Sequence, residues 1–262
     1  MPSSALQVAR TGLEAQDTRM RVIANNLANV STTAFKRDRA NFATLAYQDA
    51  RVAGAQSSNE TAYATGLNLG TGVGVQSTTR METQGSLQST GNSLDVALDG
   101  DGYFQVSLPG GQLGYTRAGN FTRSSEGQLV TAQGYIVQPP ISIPEGATSI
   151  TISEDGTVSA QLAGQTDPSQ LGQLTVATFT NPAALQAASD NFMMETAASG
   201  PAQLGIAGEQ GRGHIKQGML ESSNVNIVEE LVDMIETQRA YEINSKMISA
   251  VDEMLKNANQ TL

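Results

Sequence analysis

The stretch from Leu6 to Val30 reads LQVARTGLEAQDTRMRVIANNLANV, and its spacing decides the architecture. Leu6, Leu13, Met20 and Leu27 recur every seventh residue. Ala9, Ile23 and Val30 fill the alternate seam positions, and Gln16 alone interrupts that second row. At the other end of the chain, Ile227, Leu231, Met234, Tyr241, Ile248, Val251 and Leu255 trace a second apolar stripe at helical spacing. Sustained repeats of this kind belong to helices that pack lengthwise against other helices. Between them lies a long middle rich in Gly, Ser and Thr that reads as strands and turns. Two such helices bracketing a β-rich insert predict a subunit that polymerises through its ends.

The 262 residues are enough for one large domain or two moderate ones. A formal charge of −10 argues against nucleic acid as a partner. With no cysteine, the chain has no disulfide framework, zinc-thiolate site or Cys nucleophile. Arg10, Glu14, Asp17 and Arg19 break up the N-terminal segment, so no cleaved signal peptide is expected. No apolar run approaches the roughly 18 residues of a membrane span, so no transmembrane segment is expected either.

Ser3 or Ser4 can cap a first helix that runs to about Val30, a rod of roughly 40 Å. From Asn41 to about Gly74 the sequence is polar, with no clear elements, and a stretch of that length is expected to be functional. From about Val75 to Ile215 the reading is antiparallel β. A strong hairpin signal is Glu154-Asp155-Gly156 between Ser149–Ile152 and Thr157–Ala160. The last helix is expected to begin near Ser223-Asn224 and to run to about Asn259. Residues 1–51 carry seven basic side chains against four acidic ones. The last helix, counted from Glu221, carries eight acidic side chains against three basic. The two ends are therefore of opposite charge, from ordinary solvated helix faces or from complementarity that steers pairing.

Little here points to catalysis. His214 is the only histidine, and no nucleophile elbow accompanies it. Gly70, Gly72 and Gly74 lack dinucleotide-loop spacing, and no Gly-Lys pair makes a P-loop. A calcium loop starting at Asp95 would put Ala97 and Val106 where oxygen ligands are needed, so Asp95, Asp99 and Asp101 read as turn residues. The expectation is a protein that is not an enzyme, with no catalytic, cofactor-binding or metal-binding residues. Paired carboxylates meet in space, not in sequence, which leaves a periplasmic glycan-binding or glycan-cleaving module as the alternative from another class.

Ile23-Ala24-Asn25-Asn26-Leu27-Ala28-Asn29-Val30-Ser31-Thr32-Thr33-Ala34-Phe35-Lys36 resembles the N-terminal signature of bacterial flagellar rod and hook proteins. Asn224 to Leu231, with Gln238 to Lys246, resembles the closing helix of the same family. Gly100 to Phe104 and Tyr115 to Phe121 resemble its central β motifs. Together these segments span nearly the whole chain. Length and the run Gly54-Ala55-Gln56-Ser57-Ser58 through Gly66 to Gly74 are most like the distal-rod branch, with proximal rod and hook subunits as the competitors. The family usually has Gly before the Phe-Lys pair, where this chain has Ala34. If that position needs positive φ, Ala34 is strained.

The resemblance implies an α+β fold. Discontinuous N- and C-terminal helices (residues 1–36 and 222–262) would pair in a coiled-coil-like assembly domain. A β-rich intermediate domain (37–84 and 201–221) would follow, then an outward-facing, mainly antiparallel β domain (85–200). Assembly residues would be Leu6, Leu13, Met20, Ile23, Asn25, Asn26, Leu27, Asn29, Val30, Phe35 and Lys36 on the first helix and its exit. On the last they would be Asn226, Ile227, Leu231, Met234, Gln238, Arg239, Tyr241, Asn244, Ile248, Val251 and Leu255. Gly54, Gln56, Ser57, Ser58 and Gly66 would mark a rod-type stretch. Implied partners are further copies in a helical tube, proximal-rod and hook-side axial proteins, ring proteins at the peptidoglycan and outer membrane, and the flagellar export apparatus. The implied place is the periplasm-spanning rod of the basal body.

Overall fold

The computed structural model describes residues 2–56, 63–163 and 167–260, except for the side chains of Leu255 and of residues 2–4 and 258–260. Ser57 and Ser58, and the Leu255 side chain, lie outside the described residues. The chain is α+β and divides into two compact units. One comprises residues 1–28, 38–80 and 226–262, the other residues 29–37 and 81–225.

The first unit holds α1 (Pro2–Ala28) and α2 (Ile227–Gln260) with four strands, β1 (Asp38–Thr44), β2 (Tyr47–Arg51), β3 (Leu67–Gly70) and β4 (Val73–Arg80). The chain leaves helical geometry after Ala28, where the Asn29 carbonyl accepts the Thr32 N–H at 3.1 Å. α2 starts three residues later than the sequence suggests. Asn226 supplies the cap, its Oδ1 accepting the Val228 N–H at 3.1 Å, and Glu229 and Glu230 complement the dipole. Asn224 cannot serve as cap because its side chain is spent elsewhere. It accepts the Arg37 N–H at 2.7 Å and donates to the Met81 and Thr83 carbonyls, both at 2.9 Å.

α1 lies against α2 through a seam more polar than the heptads predict. Arg19 reaches Asp233 at 3.2 Å, and Asn26 donates to Glu230 Oε2 at 3.2 Å. A Cβ on Gly12 would stand 3.2 Å from the Asn244 amide, so glycine allows this close approach. Gly12, Arg19 and Asn26 are themselves seven residues apart, one row round from the Leu6–Leu27 ridge. Ala9, Ile23 and Asn26 are buried, while Leu6, Leu13, Met20 and Leu27 are half-buried at the flank.

The span from Asn41 to Gly74, expected to lack elements, forms two antiparallel pairs. β1 pairs β4 from Asp38↔Arg80 to Thr44↔Val73, with a bulge at Asn41/Phe42, and β2 pairs β3 from Tyr47↔Gly70 to Arg51↔Leu67. β2 and β3 are exposed on nearly every residue, so no inside–outside alternation marks them in the sequence.

The second unit is antiparallel β throughout its ladders. Its described strands are β5 (Leu87–Ser89), β6 (Val96–Asp99), β7 (Tyr103–Ser107), β8 (Leu113–Thr116), β9 (Thr122–Arg123), β10 (Leu129–Val130) and β11 (Ile136–Gln138). Then come β12 (Ala147–Ile152), β13 (Thr157–Leu162), β14 (Ser169–Gln173), β15 (Thr175–Thr178), β16 (Gln186–Ala187), β17 (Met193–Met194), β18 (Gln203–Ile206), β19 (His214–Gln217) and β20 (Met219–Glu221). The main sheet runs β16-β17-β8-β7-β11-β10-β9, and β15 joins it at β7 and carries β18 on its other edge. The expected hairpin is β12–β13, extended by β14. Leu98, Phe104, Phe121, Val137, Leu174 and Ile215 are among the residues of one buried apolar cluster, with Phe104 and Phe121 edge-to-face at 5.2 Å. Asp95 accepts from Thr90 at 2.6 Å and Asn92 at 3.0 Å, a turn role.

Candidate functional site

Sequence grouping put Glu221 with the acidic last helix; it lies instead at the end of β20, paired with Leu87 of β5. There its carboxylate is buried and fully occupied. Lys36 Nζ donates to Oε1 at 2.6 Å, Gly85 N–H donates to the same oxygen at 2.8 Å, and Arg117 Nε donates to Oε2 at 2.9 Å. Lys36 also donates to the Thr83 carbonyl at 2.8 Å, and Arg117 to the Gly102 and Gly100 carbonyls at 3.0 and 2.9 Å. All three charged side chains are almost wholly out of solvent.

The electrostatics follow from burial. Burial, then the nearby Arg117 charge, pushes the Lys36 ammonium below the ordinary lysine range, and the bond to Glu221 only partly restores it. Burial alone would raise the Glu221 carboxyl. Arg117 and then Lys36 outweigh it and hold the group below the ordinary carboxylate range. The cluster fastens the segment that follows α1 to the strand that precedes α2 and to the β6–β7 and β8 turns.

That fastening fixes an unfavourable backbone. Ala34 is buried with φ 56°, and its N–H donates to the Glu221 carbonyl at 2.8 Å. The left-handed region costs an L-residue roughly 1–2 kcal/mol. Ala34→Gly is therefore expected to stabilise the protein by about 0.5–1 kcal/mol after the added unfolded-state entropy. A denaturant midpoint at or below that of the parent chain would refute the strain.

A second node lies in the first unit. Asn26 accepts the Asp38 N–H and donates to the Asp38 carbonyl, both at 2.9 Å, besides its bond to buried Glu230. Its amide is thus spent inside the chain. Of the other predicted residues, Ile23, Phe35, Lys36 and Val251 are buried. Asn29, Val30, Met234, Asn244 and Ile248 are half-buried. Asn25, Asn226, Ile227, Leu231, Gln238, Arg239, Tyr241, Gly54, Gln56 and Gly66 are exposed.

The α2 stripe therefore splits. Met234, Ile248 and Val251 turn inward with Glu230 and Thr237, while a wider apolar arc faces out. Val228 is 70% exposed, Val232 52%, Ile235 51% and Ile243 61%. Exposed apolar residues set this closely along one helix, among exposed Arg239 and Lys246, mark an interaction surface. The β2–β3 ladder is similar, with Tyr47, Val52, Leu67 and Leu69 exposed, and the Arg51 guanidinium stacks 3.9 Å over the Tyr63 ring. No group of His, Cys, Asp and Glu among the described residues is arranged to hold a metal.

Three family models match separate parts of the chain. These are the flagella basal body rod protein over residues 6–36, the flagellar hook protein FlgE/F/G D1 domain over 97–160, and the flagellar basal body rod FlgEFG protein C-terminal region over 216–261. The chain is 50% identical to the flagellar basal-body rod protein FlgG of Buchnera aphidicola subsp. Acyrthosiphon pisum, over 98% of each. It is 47% identical to FlgG of Caulobacter vibrioides over 98% of each, and 38% identical to that of Bacillus subtilis over 94% of each. The chain belongs to the FlgG family of flagellar basal-body rod proteins. Each of the three segments matched to these rod and hook families supplies one member of the buried cluster: Lys36 from the first, Arg117 from the second, Glu221 from the third. Sequence reading placed Lys36 on the assembly surface and overlooked Arg117, Glu221 and Glu230 as partners. The signal for Arg117 was there, in the Tyr115–Phe121 motif of the flagellar resemblance.

Proposed function

We propose that the chain is a structural subunit of the distal flagellar rod, polymerising into a stiff hollow shaft that transmits torque across the periplasm and through the ring bushing. The observation that carries this reading is the outward apolar arc of α2, in a chain of the rod family. Further copies are the proposed occupants. Heterologous contacts that do not close generate an open helical polymer, and each contact gains about 25 cal/mol per Å² of apolar area buried. In this reading α1 and α2 pair in a coiled-coil-like manner as the assembly domain, residues 37–84 with 201–221 form an intermediate layer, and residues 85–200 face outward. Proximal-rod and hook-side axial proteins would meet the ends of the polymer, ring proteins would slide on its outside, and the export apparatus would deliver the chain.

The β2–β3 ladder and the stretch at its tip, with Gly54, Gln56 and Gly66, are proposed to wedge between neighbouring copies and hold the shaft straight. An isolated two-stranded ladder is marginal in water, which fits an element completed by neighbours. Removing residues 47–70 is expected to leave secretion intact and to yield bent or shortened rods in electron micrographs of isolated basal bodies. Straight rods of normal length would sink the assignment. In the same preparations, immunogold on a tagged chain should mark the hook-proximal part of the rod, and label confined to the membrane-proximal part would instead favour a proximal-rod subunit.

A further inference from the structure

Met247 and Met254 stand one heptad apart on the outward arc of α2, 45% and 62% exposed. Of the described methionines only Met81, at 37%, is comparably open; Met193 is buried, and Met20 and Met234 are half-buried. With no cysteine in the chain, these thioethers are the most accessible soft sulfurs among the described residues. They share that face with Val232, Ile235 and Ile243, so whatever covers it must accept an uncharged, apolar pair at these two positions. Glu236, Glu242, Asp252 and Glu253 against Arg239, Lys246 and Lys256 leave this part of α2 acidic by one charge, whereas residues 1–51 carry a basic surplus. A second copy offering its N-terminal region therefore matches the face in charge as well as polarity.

We propose that Met247 and Met254 are a paired oxidation site that makes the subunit–subunit contact of α2 sensitive to peroxide. The inference rests on the polymerisation proposed above. In the reaction each sulfur donates an electron pair to one oxygen of hydrogen peroxide. The O–O bond breaks, an S–O bond forms, and the other oxygen leaves as water carrying both peroxide protons. Sulfur is oxidised by two electrons and the peroxide is reduced. The sulfoxide replaces a flexible apolar group with a strong dipole. On an open helix face that dipole is solvated at little cost. Beneath a second copy it is stripped of water, and the outward residues one turn before each sulfur, Ile243 and Ala250, supply no side-chain donor in exchange.

The test uses the full chain. Purified subunit is treated with dilute hydrogen peroxide, sulfoxides are located by peptide mass spectrometry, and polymer is measured by sedimentation beside the untreated chain. Met247 and Met254 are expected to oxidise before Met193 and Met20, and the concentration needed for polymer to rise at least tenfold. Circular dichroism of the monomer should not change. The M247L/M254L variant, compared with its own untreated chain, should show no rise on peroxide treatment; M81L should remain as sensitive as the parent. Treatment with methionine sulfoxide reductases should restore assembly. Polymer unaffected by full oxidation at both positions, or equal sensitivity in M247L/M254L, would overturn the inference and leave the rod reading standing. An untreated parent chain that forms no polymer under any condition would overturn both.

Discussion

Glu221→Gln is expected to destabilise the β-rich unit by about 3–5 kcal/mol, the usual cost of breaking a buried ion pair from one side. The amide cannot balance the two cations that converge on it, Lys36 at 2.6 Å and Arg117 at 2.9 Å, and both are buried. In urea titrations Lys36→Met should cost less in the Glu221→Gln background than in the parent, because the charge that Lys36 balances is already gone. Additive losses would mean that the three groups do not act together. The linkage sign is fixed by the shifts. The Glu221 carboxyl lies below its ordinary value when folded, so its contribution is fully present above the ordinary carboxylate range. It is lost as pH falls through the lower folded value, beneath the ordinary carboxylate range. Lys36 is also lowered, so the folded state binds its proton less well. That penalty is relieved as pH rises from the lowered folded value to the ordinary lysine value. The parent should therefore lose stability at the acid end in a step that Glu221→Gln flattens.

The second large effect is on assembly and should leave folding alone. Val232→Glu with Ile235→Glu places two carboxylates on the exposed arc of α2, where each parent side chain is about half exposed. In the monomer such surface changes fall within about 0.5 kcal/mol. Under a second copy the carboxylate at 232, with Glu229 and Glu236 as its helix neighbours, loses water at a cost of several kcal/mol per contact; the one at 235 stands one turn from exposed Arg239 and loses less. A rise of more than about 100-fold in the concentration needed for polymer corresponds to roughly 3 kcal/mol. Sedimentation would measure it, and thermal unfolding of the monomer would serve as control. Normal polymer from this variant would show that the arc is not a contact surface.

How much of this was legible depends on what each element buries. The β12–β13 hairpin could be read because Asp155-Gly156 marks the turn, with Gly156 at φ 88°, and because Val158 and Ala160 alternate inward. The ladder of β2 and β3 could not. Exposed on both faces, it carries no period-2 pattern, and only its pairing partner makes it a strand. The period marks the two helices, and Ala9 and Ile23 of the alternate seam row are buried, but the row of Leu6, Leu13, Met20 and Leu27 is only half-buried. Leucines at heptad spacing are the stronger signal in sequence, yet Asn244 of α2 comes up against Gly12, where a side chain is absent.

By itself the sequence determined that long helices stand at both ends of the chain, that an antiparallel β region lies between them, and that the flagellar motifs run its length. These are local or periodic properties, carried by residues a few positions apart. Tertiary structure alone decided that Lys36, Arg117 and Glu221 meet, since 185 residues separate the first from the last. It also decided that Ala34 takes a left-handed turn beneath them, and that Val228, Val232, Ile235 and Ile243 of α2 are left exposed. A charge pair and a free helix face are set by which distant segments come together, and no spacing along the chain encodes that.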